Sequence, residues 1–526
     1  MLSDTQWSWW SELITNKKDE FTFQVLTISV ISLMAILWYR SRKTLSTLPP
    51  GPRGVPVVGY LPFLGANFHH EFTKLAQRYG PIFKIQLGSK TYIILSSSDL
   101  AKTVLHDQDD IFANRDPPVA GLLVSYGGKD IVWSNNNSYW RNLRKVFVYE
   151  VLSNKNLEAT QSFRRGGVRK TIKQVYETMG TEVEIGKIVF FTSLSVITNM
   201  IWGKSLVEDE KNNDVGVGLR EVISKILELL GAPNVSDFFP VLTKFDLQGV
   251  QREMKRQWKT MDRILERIIE ERLAIKKDEA GRKDFLQILL ELKQQNTTSG
   301  FSMTEIKALL MDIVVGGTDT TSTMAEWTMA ELLQNPNEMK KVQDELEQVI
   351  GKNNIVEESH LPKLRYLDAV IKETFRLHPP LPLLIMRSPK LHYIYSAIKV
   401  GGYTIPKGSN VYLNVWAIHR DPQYWENPLE FDPNRFLMAD GRNKYDYSGY
   451  NTNFLPFGSG RRGCPGVPLG EKMLLYLLAS LLHSFNWILP NNKEHELSDK
   501  FGLVVKKRNS LMAIPSQRLP DKNLYM

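Results

Sequence analysis

One cysteine among 526 residues, Cys464, narrows what this chain can be more than any other feature. No intrachain disulfide can form, which excludes the stapled scaffolds of secreted proteins. A zinc ribbon or a thiolate-held iron–sulfur cluster needs more sulfur than one side chain supplies. Stability must therefore come from a packed core, and a composition of 42% hydrophobic and 23% charged residues can build one. The sulfur lies in Phe457-Gly458-Ser459-Gly460-Arg461-Arg462-Gly463-Cys464-Pro465-Gly466. The glycines there allow the positive-φ turns of a tight loop, and Pro465 suits the first turn of an apolar helix expected over 469–482. A thiolate ahead of a helix N-terminus, with Arg461 and Arg462 nearby, is electrostatically stabilised. Single cysteines are commonly inert core residues, but this setting favours a sulfur ligand.

Residues 21–39 carry no charge. At about 1.5 Å per residue they reach roughly 28 Å, one bilayer crossing. A cleaved signal peptide is the rival reading, but the stretch exceeds an ordinary signal core, Asp19 and Glu20 precede it, and no small-residue cleavage site follows. Arg40, Arg42, Lys43 and Arg53 follow with no acid before Glu71, against Lys17 and Lys18 ahead of it. The basic side faces the cytosol. The expected layout is a lumenal N-terminus at 1–20, a transmembrane helix at 21–39, a basic and Pro-rich hinge at 40–59 and a cytosolic body at 60–526. Within the hinge, Leu48-Pro49-Pro50-Gly51-Pro52 makes a stiff extended strap, either orienting the body or serving as a plain loop. The 66 Lys+Arg against 57 Asp+Glu leave a net charge of +9. These basic residues alternate with acids and form no long run, so the balance suits an acidic protein partner or an anionic membrane and argues against nucleic acid.

Beyond residue 60 there is no internal repeat and no second linker, which points to one folded body. Strand-like runs occur at 82–87, 91–95, 403–405 and 410–413, and helical periodicity dominates elsewhere, as at 252–276. The fold class expected is mainly α with smaller β-sheets. One helix opens on the capping-box pair Ser302 and Glu305 and runs without proline to Asn335, about 48 Å of rod. Inside it, Gly316 and Gly317 each cost about 1 kcal/mol relative to alanine. Either a ligand approaches the backbone there or another helix packs closely.

These motifs together resemble the cytochromes P450. The cysteine loop matches their Phe-x-x-Gly-x-Arg-x-Cys-x-Gly pattern. Trp140-Arg141-Asn142-Leu143-Arg144 resembles Trp-x-x-x-Arg, Glu373-Thr374-Phe375-Arg376 resembles Glu-x-x-Arg, and Phe431-Asp432-Pro433-Asn434-Arg435-Phe436 the later arginine motif. The strap, Gly401-Gly402-Tyr403-Thr404-Ile405-Pro406 and the run Asn414–Pro422 look like the plant microsomal branch.

The resemblance implies a cytochrome P450 fold with an N-terminal transmembrane anchor in the endoplasmic reticulum membrane. It implies haem b with an axial thiolate from Cys464, Phe457 and Gly466 in the haem loop, and Trp140, Arg144, Arg387 and Arg462 on the haem propionates. Asp319 and Thr320 would relay protons as the catalytic acid–alcohol pair, unless they are a local helix hydrogen-bonding feature. Glu373, Arg376 and Arg435 would form a structural ion-pair cluster. No dinucleotide loop is visible, so electrons would come from NADPH through NADPH–cytochrome P450 reductase, docking near Arg141, Lys145 and Arg461.

Pocket residues implied are Pro117, Val119, Leu122, Leu123, Val124, Leu309, Ile313, Leu384 and Leu503, an apolar set that suits a lipophilic small molecule. A sesquiterpenoid is the first substrate class, a flavonoid the alternative. A non-oxidising haem sensor and a peroxide-rearranging isomerase are the readings from other classes. Two departures from the plant pattern bear on the pocket: Met386 before Arg387, and the aromatic loop 391–397.

Overall fold

The computed structural model describes residues 24–29, 32, 47–203, 213–274, 284–294, 301–390, 398–406, 408–490 and 496–526. Most of the expected transmembrane helix and the loop 391–397 lie outside the described residues. Within the former, 24–29 is helical with Val25, Leu26 and Ile28 exposed.

Ten helices carry the architecture described below: α1 (Phe68–Tyr79), α2 (Ser138–Glu150), α3 (Gln161–Glu177), α4 (Ile185–Trp202), α5 (Asn213–Gly231), α6 (Val250–Ala274), α7 (Met303–Gln334), α8 (Pro336–Ile350), α9 (Arg365–Leu377) and α10 (Val467–Ser484). Both halves of the expected capping box start α7. Glu305 N–H donates to Ser302 Oγ at 3.4 Å, and Ser302 N–H to Glu305 Oε2 at 2.8 Å. The helix packs along α4 and against α9 and α10, so the longest rod sits inside the main apolar core. By length and composition α4 could cross a membrane, but 78% of it is buried in the body, which makes it a core helix.

The expected start of α10 needs correction. Gly466 caps it, and the first turn closes with Gly470 N–H on Gly466 O at 2.8 Å. The first-turn proline is therefore Pro468, and Pro465 precedes the cap. Cys464 lies in the loop two residues before the cap, its N–H donating to Phe457 O at 2.9 Å.

The sheets are small. One has the order β1 (Ile82–Leu87), β2 (Lys90–Leu95), β6 (Asn410–Leu413), with β1 and β2 antiparallel from Ile82↔Leu95 to Leu87↔Lys90 and β6 parallel to β2. Another joins β3 (Val183–Glu184), β10 (Met512–Gln517) and β7 (Phe485–Ile488). Two hairpins, β4 (Ile398–Val400) with β5 (Tyr403–Ile405) and β8 (Asp499–Lys500) with β9 (Lys506–Lys507), complete the set among the described residues. The strap lies on the open edge of β1: Lys84 N–H donates to Pro50 O and Tyr60 N–H to Gln86 O, both at 2.7 Å. Proline cannot donate to a ladder but its carbonyl can accept, so the strap covers that edge and is fixed to the body.

Candidate active site

The Cys464 loop stands on a scaffold anchored in α9. Glu373 and Arg376, one turn apart and both 0% exposed, pair at 2.6 Å, and Arg435 reaches the same carboxylate at 3.3 Å. Arg376 also donates to the carbonyls of His419, Pro428 and Glu430. The imidazole of His419 then accepts Leu455 N–H at 2.8 Å. A chain of polar contacts thus runs from α9 to the residues entering the loop. From another side His106 Nε2 meets Ser459 Oγ at 2.9 Å, a brace that no sequence signal announced. Gly460 has φ +69°, and a Cβ there would meet Leu105 O at 2.5 Å, so only glycine fits this turn.

Cys464 opens onto a cavity of about 350 Å³ bounded by the loop, α7, the segments 115–133 and 380–387, and Leu503 and Val504 between β8 and β9. The cysteine is exposed to that cavity. Burial raises its thiol pKa, while the N–H groups of Gly466 and Val467 and the Arg144 guanidinium pull the other way. The expected N–H groups at the helix start are present, but the cation is Arg144 rather than Arg461 or Arg462, and in the protein alone desolvation outweighs them.

Four guanidiniums line the same cavity: Arg115, Arg144, Arg387 and Arg462. Arg144 donates to Gly463 O at 2.6 Å. Arg387 reaches Asp109 Oδ1 at 3.0 Å and Ser459 O at 2.9 Å. Arg462 donates to the carbonyls of Ala113, Ile131 and Ser134. Arg115 had not been expected; it holds Ile385 O at 2.6 Å and Met386 O at 2.8 Å, so a backbone oxygen does the work at Met386. Burial lowers Arg115 well below its ordinary value, and Arg462 and Arg387 add to it. Burial, then Arg387 and Arg144, brings Arg462 down to about 9.

Such a concentration of buried cations, answered mainly by Asp109 and Asp130, suits a ligand bringing two carboxylates of its own. With one sulfur at the same cavity, the donor set fits an iron porphyrin with propionates. Trp140 differs from expectation: it does not line the cavity, its indole N–H goes to Ile131 O at 2.9 Å, and the Arg462 guanidinium lies 4.1 Å over its ring. It braces an arginine from behind.

On α7 both glycines line the cavity, and the close-packing reading applies to Gly317 as well. A Cβ on Gly316 would meet nothing within 4 Å and would stand on the cavity side; one on Gly317 would meet Ile197 Cδ1 of α4 at 2.6 Å. The expected acid–alcohol pair is split. Thr320 lines the cavity, its hydroxyl donating to Gly316 O at 2.8 Å. Asp319 does not line it; its Oδ1 pairs with Lys506 Nζ of β9 at 2.7 Å. Consecutive helical residues point about 100° apart, so Thr320 faces the cavity while Asp319 faces β9.

Of the expected pocket residues, Val124, Ile313, Leu384 and Leu503 line the cavity, with Phe457 and Gly466. Pro117, Val119, Leu122, Leu123 and Leu309 do not: Leu309 is fully buried in the core, and Leu122 turns outward. Asp312, which sequence reasoning passed over, does line it. The available signal was an acid inside the apolar run 308–315. In the expected docking patch Arg141 and Lys145 are exposed on α2, whereas Arg461 is partly neutralised by Asp109 at 3.3 Å and Asp110 at 3.9 Å.

The profile of the cytochrome P450 family matches residues 49–514. The chain belongs to the cytochrome P450 family. This P450 is 37% identical over 503 residues to geraniol 8-hydroxylase of Catharanthus roseus, covering 95% of this chain and 99% of that one. It is 36% identical over 511 residues to a flavonoid 3'-monooxygenase of Crocosmia x crocosmiiflora, covering 95% and 99%. A zebra fish cytochrome P450 solved with abiraterone superposes with a TM-score of 0.71 at 25% identity, covering 86% of this chain and 99% of that one. The protein is a P450 monooxygenase, an oxidoreductase with the mainly helical P450 fold, and it resembles plant members that oxidise terpenoids and flavonoids. The family implies haem with a cysteine thiolate ligand.

Proposed function

We propose that this P450 hydroxylates a small lipophilic plant metabolite, a terpenoid of sesquiterpenoid size, using O2 and electrons passed from NADPH by NADPH–cytochrome P450 reductase. The observation that carries the reading is the single cysteine opening onto a mostly apolar cavity that also holds three buried guanidiniums and the partly buried Arg144. Cys464 would hold the haem iron, Arg115, Arg144, Arg387 and Arg462 its carboxylates, and Phe457 and Gly466 its loop-side face. Bound haem supplies dioxygen reduction and oxygen insertion into a C–H bond. Thr320 holds a proton on a hydroxyl facing the cavity, and Asp319, tied to Lys506, would exchange protons with the β9 side. The apolar wall of Ile313, Val315, Leu384 and Leu503 excludes water from the substrate.

The layout proposed is a span at 21–39, a hinge at 40–59 and a body facing the cytosol at the endoplasmic reticulum. The exposed apolar side chains Val241, Phe245 and Leu247 beside Lys244, Arg252 and Lys255 support a body lying against an anionic membrane. The name of the relative acting on geraniol supports a terpenoid. The flavonoid 3'-monooxygenase, nearly as similar, keeps a flavonoid as the second reading.

Reductase-bearing microsomes carrying the chain test this with a terpenoid and flavonoid panel. The expected result is a thiolate Soret shift with carbon monoxide and NADPH-dependent product, both lost in Cys464→Ser. Product from the serine variant sinks the reading, product without NADPH favours an isomerase, and a shift without turnover favours a sensor.

A further inference from the structure

Away from the cavity, His69 and His70 at the start of α1 meet Asp499, the first residue of β8. His69 Nε2 lies 2.9 Å and His70 Nε2 3.1 Å from the same carboxylate oxygen, Oδ2. One ligating atom from each of the three residues falls within 4.8 Å of the other two. Neighbours on a helix diverge by about 100°, so two adjacent rings turn to one oxygen only where packing holds them. Trp416 meets both imidazoles edge-on, with ring centroids at 4.7 and 4.8 Å, and Phe501 stacks on His69 at 5.6 Å.

The chemistry of the three groups is that of a metal site. His69 is 0% exposed, and burial lowers its pKa, so the ring is neutral at pH 7. Its Nδ1 has no hydrogen-bond partner. No second contact therefore fixes the tautomer, and the proton can sit on Nδ1 while Nε2 turns a lone pair toward Asp499. Hydrogen bonding alone would be served by one imidazole on each carboxylate oxygen. Here both converge on Oδ2, and Oδ1 keeps a 3.4 Å contact to His70. A divalent ion bonded at about 2.0–2.1 Å holds neighbouring nitrogen and oxygen ligands about 3.0–3.4 Å apart, so the cluster need open only slightly. His70 is 36% exposed, which leaves an entry for the ion and room for water as a further ligand. Two imidazoles and a carboxylate, with no thiolate, suit zinc among the first-row ions. The Arg420 guanidinium, 3.4 Å over the Trp416 ring, opposes a second cation here and tempers the affinity.

We propose that His69, His70 and Asp499 bind one divalent transition-metal ion, with Zn2+ the best match, and that the ion clamps α1 to the β8–β9 hairpin. None of the three ligands lines the cavity, but the hairpin does: Leu503 and Val504 face it, Val505 N–H donates to Pro380 O at 2.9 Å, and Lys506 pairs with Asp319. An ion at the clamp steadies one wall of the cavity from outside it.

The haem-loaded full-length protein in nanodiscs, purified without a polyhistidine tag, tests this by dialysis against Zn2+ in excess Mg2+, with bound metal counted by mass spectrometry. One Zn2+ per chain is expected. His70→Ala, at a partly exposed position, and Asp499→Asn, which keeps the size of the side chain, should each weaken binding at least about tenfold. The zinc absorption edge, distinct from that of iron, should show two imidazoles among nitrogen and oxygen ligands. Hydrogen exchange over 499–507 should slow with Zn2+ in the wild type alone. A wild type that takes up no Zn2+ overturns the proposal and leaves a hydrogen-bonded cluster. Uptake equal to that of both variants, or an edge without paired imidazoles, also overturns it and marks an adventitious ion only. Binding that leaves exchange over 499–507 unchanged overturns the clamp. If either variant loses its fold, the wild-type count and edge spectrum still decide.

Discussion

On the Cys464 side of the cavity polar groups interlock: Arg144 holds Gly463, Arg387 holds Ser459, and Arg462 holds three carbonyls of 113–134. The facing stretch of α7 is shaped by apolar side chains and the paired glycines Gly316 and Gly317, with Asp312, Thr320 and Thr321 as its polar members. The first wall suits a rigid prosthetic group, whose carboxylates need fixed, desolvated cations; the second suits a ligand recognised mainly by shape. Damage to the first should cost stability and the cofactor together. Damage to the second should change selectivity at constant stability.

The largest effect is expected where the first wall is founded. Arg376→Ala leaves Glu373 buried without its closest cation and frees three carbonyls, a loss of about 3–5 kcal/mol. Thermal unfolding and the carbon monoxide band should fall together; a midpoint shift below about 2 °C would mean the wall does not depend on the cluster.

A smaller effect tests whether the back of α7 is polar-held like the first wall. Glu326 accepts Leu511 N–H at 2.7 Å, and burial raises its pKa to about 7. The folded protein keeps that proton where the unfolded chain has lost it. The stabilisation is complete below about pH 4.5 and disappears as pH rises through 7, on the order of 2–3 kcal/mol. Glu326→Gln should therefore lose less stability than the wild type between pH 5 and pH 8, measured as Tm. Parallel curves would place the proton elsewhere.

The smallest effect contrasts adjacent glycines. Gly317→Ala drives a methyl toward Ile197 of α4 and should cost about 1–2 kcal/mol. Gly316→Ala meets open space, should be neutral or stabilising by up to about 1 kcal/mol, and should instead alter the product ratio. Equal losses of stability would erase the distinction between the walls.

Much of the fold and the first wall was legible in sequence. The capping box and Pro336 bracketed α7, the 82–87 and 410–413 runs formed strands, and Glu373 with Arg376 paired within one turn. The second wall was half legible. Ile313 and Leu384 line the cavity as expected, but Leu309 and Leu122 do not, because a helix or loop register alone does not say which face meets a distant segment. Arg115 and Asp130 were overlooked for the same reason: their roles arise from groups that converge only in the folded chain.

By itself, the order of residues determined the glycine-rich turn around the lone sulfur, the long capped rod and the ion pair one turn apart, since each depends on contacts within a loop or a helical turn. Packing between segments more than a hundred residues apart decided the rest: that Gly317 seats against Ile197 while Gly316 meets only open space, that Asp319 turns to Lys506, and that Asp312 meets Asp130. The reason is geometric. Local hydrogen bonding sets a helix, but the direction each side chain faces acquires meaning only from the neighbour brought against it.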